Sequence, residues 1–103
     1  MVKGAVTESI ARQLAWYFDR NGYVRRPRPE RRADAAKGVY RKGYEVRLTA
    51  ESRAELAEIR RLLRAAGFKP GRPFRKALQF RQPIYGRADV ARFLEMIGEP
   101  ADA

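Results

Sequence analysis

Apolar residues recur along this chain with two different spacings, and the spacing tells helix from strand. Ile10, Leu14 and Phe18 follow one another at intervals of four, with Ala11, Ala15 and Tyr17 beside them. That pattern predicts a helix over 7–21 with one apolar stripe. Thr7 is placed to cap its first turn, and Glu8 suits its positive end. Asn21-Gly22 stops it, with Gly22 expected to take the left-handed conformation. Leu56, Ile59 and Leu63, with Leu62 alongside, form a second stripe. This helix starts at Thr49 or Ser52, where Ser52-Arg53-Ala54-Glu55 fits a capping box, and Gly67 closes it. Val90, Phe93, Leu94 and Ile97 form a third stripe, entered through Gly86 and stopped by Gly98 and Pro100.

Between the helices the period falls to two. From Val39 to Leu48 the even positions Tyr40, Lys42, Tyr44, Val46 and Leu48 are mainly apolar, and the odd positions Val39, Arg41, Gly43, Glu45 and Arg47 mainly charged. This alternation predicts a strand with one face buried. Tyr23 to Arg26 reads as a shorter strand. Two more are expected at about 72–76 and 78–85. In the latter Leu78, Phe80 and Ile84 share one face, and Gln79 and Arg81 the other. The turn between them lacks Gly or Asn, so the pattern does not position it. Pro27, Pro29 and a cluster of arginines make 27–37 a basic connection.

The order α-β-β-α-β-β-α predicts one α+β domain over 1–103, a four-stranded antiparallel sheet with the helices on one face. The other face is open and basic. It is expected to carry Arg25, Arg41, Arg47, Arg75, Gln79 and Arg81, each of which a one-residue slip in register would turn inward.

Composition sharpens this. The 103 residues allow one core. Lys and Arg number 23 against 12 Asp and Glu, a formal net charge of +11, which points to nucleic acid or an anionic surface as partner. There is no cysteine and no histidine. Disulfides, zinc ribbons and Ser-His-Asp or Cys-His catalysis are thereby excluded, and any metal would be a hard cation held by carboxylates. No apolar run is long enough for a membrane span and the start lacks a signal-peptide core. The chain is therefore expected to be soluble, away from membranes, and cytoplasmic in association with the nucleoid.

Leu14-Ala15-Trp16-Tyr17-Phe18-Asp19-Arg20-Asn21-Gly22 resembles the signature helix of the LAGLIDADG homing-endonuclease family. Leu14, Ala15, Asp19 and Gly22 match the motif's letters, and Phe18 stands for its isoleucine. Trp16 replaces the small third residue, although a branch of the family has aromatics there. Val46-Arg47-Leu48-Thr49 running into a helix, and Ile84-Tyr85-Gly86 leading to Phe93-Leu94, are similar to the family's second half. The likeness covers nearly the whole chain. It implies a homodimer in which the signature helices pack side by side through Ala11, Leu14, Ala15 and Phe18. The paired sheets would form a saddle on double-stranded DNA, reading a near-palindromic site in the major groove. The open-face residues named above are the expected readers. Arg26, Arg28, Arg31 and Arg32 are expected on phosphates.

Active members of that family place an acidic residue just before the final glycine, where it binds Mg²⁺ and helps to activate water. Asn21 stands there in this chain. Asn21 is thus a degenerate catalytic and metal position, with Asp19 a second candidate acid. The resemblance then implies DNA binding that needs no cofactor, with Mg²⁺-dependent cleavage weak or lost. Two alternatives stay open. One is an active Mg²⁺-dependent endonuclease using Asp19, Asn21 and phosphate oxygens. The other is an RNA-binding, maturase-like module in which Tyr23, Tyr40 and Tyr44 stack on unpaired bases, although alternation puts Tyr40 and Tyr44 on the buried face. Trp16, Tyr17 and Phe18 are expected in the core or a dimer interface, and Arg60, Arg61 and Arg64 on a solvated helix face pairing with Glu58 and its neighbours.

Overall fold

The computed structural model describes residues 3–26 and 43–99. The basic connection 27–37 and the first residues of the strand expected over 39–48 lie outside that range. Among the described residues seven elements follow in chain order: α1 (Lys3–Asp19), β1 (Tyr23–Arg25), β2 (Glu45–Ala50), α2 (Arg53–Ala65), β3 (Phe74–Lys76), β4 (Gln79–Tyr85) and α3 (Arg87–Ile97). The class is α+β. The strands form one sheet in the order β1-β2-β4-β3, every neighbouring pair antiparallel.

The apolar stripes behave as their spacing requires. Ile10 and Leu14 of α1, Ile59, Leu62 and Leu63 of α2, and Val90, Phe93 and Leu94 of α3 join one buried core. The sheet contributes Val46, Leu48, Ala50 and Ile84 from one face only. Each Val, Leu, Ile or Phe among them stabilises the fold by about 1.5–3 kcal/mol on leaving water. Phe93 lies at the centre, edge-on to Phe18 at 6.0 Å and to Phe68 at 5.8 Å.

The ends of the helices follow local chemistry, with two corrections. Ser52 caps α2 by accepting from the Glu55 amide at 3.1 Å, and Glu55 in return accepts from the Glu51 amide at 2.8 Å. The expected capping box is thus present in part, its returning bond made to the Glu51 amide in place of that of Ser52, and Thr49 belongs to β2 rather than to the helix. In α1 the backbone is already helical from Lys3, so Thr7 is not its cap. At the other end Asn21, not Gly22, takes the left-handed conformation, with φ 65°. Gly22 is required for a different reason: its amide donates to the Phe18 carbonyl at 2.8 Å, and a Cβ there would collide with that oxygen and the Phe18 ring.

Two polar residues depart from the expected pattern. Gln82 points to the helix side of β4 and is fully buried. Its amide donates to the carbonyls of Gly71 and Pro83, both at 2.8 Å, and its oxygen accepts from Arg60 at 2.6 Å. Arg60 also donates to the Gly71 carbonyl at 3.0 Å. Arg60 is thus half-buried and ties α2 to the loop before β3, rather than lying on a solvated face. Arg61 does pair with Glu58, at 2.5 Å, and Arg64 is exposed as expected.

Candidate nucleic-acid interface

Register decides which side chains reach the sheet face that none of the described helices covers. Val46, Leu48 and Ala50 point inward, so Glu45, Arg47 and Thr49 point out. Pairing then carries the same outward orientation across the sheet. Tyr23 and Arg25 lie opposite Arg47 and Glu45; Tyr85, Pro83 and Arg81 lie opposite Glu45, Arg47 and Thr49. Phe74 and Lys76 lie opposite Arg81 and Gln79. Four of the predicted readers, Arg25, Arg47, Gln79 and Arg81, are therefore brought onto one face.

Arg75 is not among them. It sits opposite Phe80, on the helix side of the sheet, with its guanidinium 5.5 Å from the Phe80 ring. The expected outward placement of Arg75 is therefore corrected, the pattern having left the position of the preceding turn open. β3 and β4 are joined by a two-residue turn at Ala77-Leu78, with Ala77 at φ 56°. That turn pairs Lys76 with Gln79, and Gln79 is outward, so Lys76 is outward too. Leu78, expected on the buried face, is 84% exposed at the tip of the turn. Arg26 is half-buried just after β1. Arg28, Arg31, Arg32, Arg41 and Tyr40 lie outside the described residues.

The face is preorganised by a buried acid that the sequence reading did not single out. Glu45 is 1% exposed, although it belongs to the open side. Arg25 and Arg47 cover it from either side, Arg47 Nε meeting its carboxylate at 2.5 Å and Arg25 through Nη2. Arg25 Nε also donates to the Gly43 carbonyl at 3.1 Å. The Arg47 guanidinium lies 5.1 Å from the Tyr23 ring and 5.2 Å from that of Phe74. Both rings are exposed, as is Tyr85. Tyr44, by contrast, is half-buried against the core.

A second set of bonds joins the sheet to the end of α1. Arg81 Nη1 donates to the Thr49 hydroxyl, which donates to the Asn21 carbonyl at 3.1 Å. Beside this chain lies an open concavity of about 480 Å³ lined by Asn21, Gly22, Tyr23, Arg47, Lys76 and Arg81. Gln79 lies at the sheet's far end and donates to Glu51 at 2.9 Å.

The metal expectation meets an unsuitable lining. The side chains that share the concavity with Asn21 include three cations and no carboxylate. Among the described residues no three His, Cys, Asp or Glu side chains converge. A neutral amide ringed by positive charge does not fit Mg²⁺, which needs anionic oxygen ligands. Asp19, the other candidate acid, is exposed and does not line the concavity.

Of the four residues expected at a helix-to-helix dimer contact, Leu14 is corrected: it is fully buried in this chain's own core. Phe18 also packs into that core, against Phe93. Ala11 and Ala15 are half-buried, and Trp16 beside them is 57% exposed, with the Arg20 guanidinium 4.8 Å from its ring. No helix among the described residues is long and apolar enough to cross a membrane. Compared with known protein families, curated proteins and solved structures, the chain matches none.

Proposed function

We propose that this protein binds duplex DNA through the open face of its sheet, reads sequence there, and does not cut. The supporting observation is the composition of that one face: Arg25, Arg47, Lys76, Arg81 and Gln79 stand together on four neighbouring strands. Arginine matches the acceptor pair on a guanine edge, and glutamine matches adenine. The Glu45 clasp holds two of these arginines in place before any ligand arrives, which lowers the ordering cost of binding. The net charge of +11 supplies attraction to phosphates. The α+β order and the likeness of residues 14–22 to the LAGLIDADG signature favour a sheet laid in the major groove. They also favour a homodimer, its second copy packing against the outward side of α1 at Ala11, Ala15 and Trp16. The cationic surroundings of Asn21 favour binding without hydrolysis.

Selection from random duplex DNA at about 0.15 M salt with Mg²⁺ present tests this. The expected product is an enriched near-palindrome recovered intact. Cut products would make the protein an endonuclease, and absence of any enriched sequence would refute sequence reading.

A second reading has its own observation. Tyr23, Phe74 and Tyr85 are exposed on the same basic face, as in surfaces that stack unpaired bases. Competition between duplex DNA and single-stranded RNA separates the two, with duplex DNA expected to win.

A further inference from the structure

The concavity at the end of α1 has a chemistry of its own. Its charge balance can be taken residue by residue. Arg47 is offset in part by Glu45, which it meets through Nε and Nη2 and shares with Arg25. Lys76 and Arg81 make no ion pair with a carboxylate among the described residues, and both line the concavity. Arg81 uses only Nη1 on Thr49, which leaves Nε and Nη2 for a ligand. Lys76 is exposed and brings three donors. The C-terminal end of α1 opposes an anion with about half a negative charge. Two full positive charges outweigh it. The Asn21 side chain adds a neutral amide that can donate without adding negative charge.

From this geometry we infer that the concavity binds a phosphodiester of the nucleic-acid backbone directly, through Lys76, Arg81 and the Asn21 amide, with no divalent cation between. The concavity, about 480 Å³ and open to solvent, is roomy enough to admit a phosphate together with its sugar. Rigidity is supplied by the Arg81–Thr49–Asn21 chain of bonds, which spaces the two donors before the ligand arrives. The inference deepens the proposed DNA-binding role and rests on it for the source of the phosphate, while the site itself is testable alone.

The test titrates the full chain with inorganic phosphate, and separately with MgCl₂, at constant ionic strength. The signals followed are the Asn21 side-chain amide, the Gly22 amide and the arginine Nε–H groups in nitrogen-15 spectra. Phosphate should give saturating shifts at Asn21, Gly22 and Arg81, and Mg²⁺ none. Lys76→Ala or Arg81→Ala should weaken phosphate about tenfold, the loss of one charge-assisted bond. Asn21→Asp should weaken phosphate, because the added negative charge competes for Lys76 and Arg81. Shifts that do not saturate, an affinity unmoved by both alanine variants, or Mg²⁺ binding at wild-type Asn21 would overturn the inference. Phosphate binding without duplex binding would leave this site standing and remove the proposed function. Duplex binding unchanged by Lys76→Ala and Arg81→Ala would do the reverse. Lys76 is exposed at a strand end, so circular dichroism of Lys76→Ala should match wild type.

Discussion

Arg20 and Glu55, far apart in the chain, meet in a two-point ion pair: Nη2 lies 2.5 Å from Oε1 and Nη1 3.2 Å from Oε2. Arg20 also reaches the Thr49 carbonyl at 3.3 Å, so the end of α1, the end of β2 and the start of α2 are joined at one guanidinium. The Arg20 hydrogen bond, followed by the Glu51 amide, holds the Glu55 carboxyl below its ordinary value. A carboxylate with a lowered folded-state value stabilises above its unfolded value, near 4.3, and that stability is lost as pH falls through the folded value. Glu55→Gln should therefore cost about 1 kcal/mol at pH 7, since the pair is partly screened. The difference from wild type should shrink below about pH 4. Chemical denaturation at pH 7 and pH 3 checks this, and an equal loss at both would assign the effect to shape rather than charge.

Leu14 belongs to this chain's own core. Leu14→Ala should cost about 2–5 kcal/mol, the transfer and cavity terms together. The loss should be the same at low and high protein concentration. A loss that shrinks on dilution would place Leu14 at a contact between copies.

Glu45 is a buried acid facing two arginines. Removing one partner from a buried cluster leaves the others uncompensated, at a cost of about 3–5 kcal/mol. Glu45→Gln should approach that figure in thermal unfolding. It should also raise the off-rate from DNA, because Arg25 and Arg47 lose the group that aims them.

Arg81 and Arg75 lie one turn of a hairpin apart and on opposite faces of the sheet. Arg81→Ala should weaken duplex binding about tenfold, and about equally for selected and unselected sequences, as the loss of a phosphate contact does. Arg75→Ala should change affinity little. Comparable losses from both, measured by anisotropy, would mean that the register of β3 does not govern recognition.

Much of the fold was readable from pattern alone, because the strongest signals are local. Ile10, Leu14, Ile59, Leu63, Val90 and Phe93 are core residues at helical spacing, and Val46, Leu48 and Ile84 are core residues at strand spacing. The period of apolar residues is imposed by the geometry of each element, so it survives without knowledge of neighbours. Half of the interface was readable for the same reason: once Val46 and Ile84 point in, Arg47 and Arg81 point out.

What the sequence determined by itself was the element order, the apolar stripes, the positive charge and the absence of histidine and cysteine chemistry. Tertiary structure decided the rest. β3 is a three-residue edge strand with no alternation to read, so its face was set by the turn that pairs Lys76 with Gln79. Arg60 and Gln82 satisfied one another across the α2–sheet boundary, a bond between residues that no spacing links. The concavity draws on residues 21–23, 47, 76 and 81. Its charge depends on Glu45 offsetting Arg47 in part while Lys76 and Arg81 stay unpaired with acids among the described residues, and which charges meet is settled only when distant strands come together.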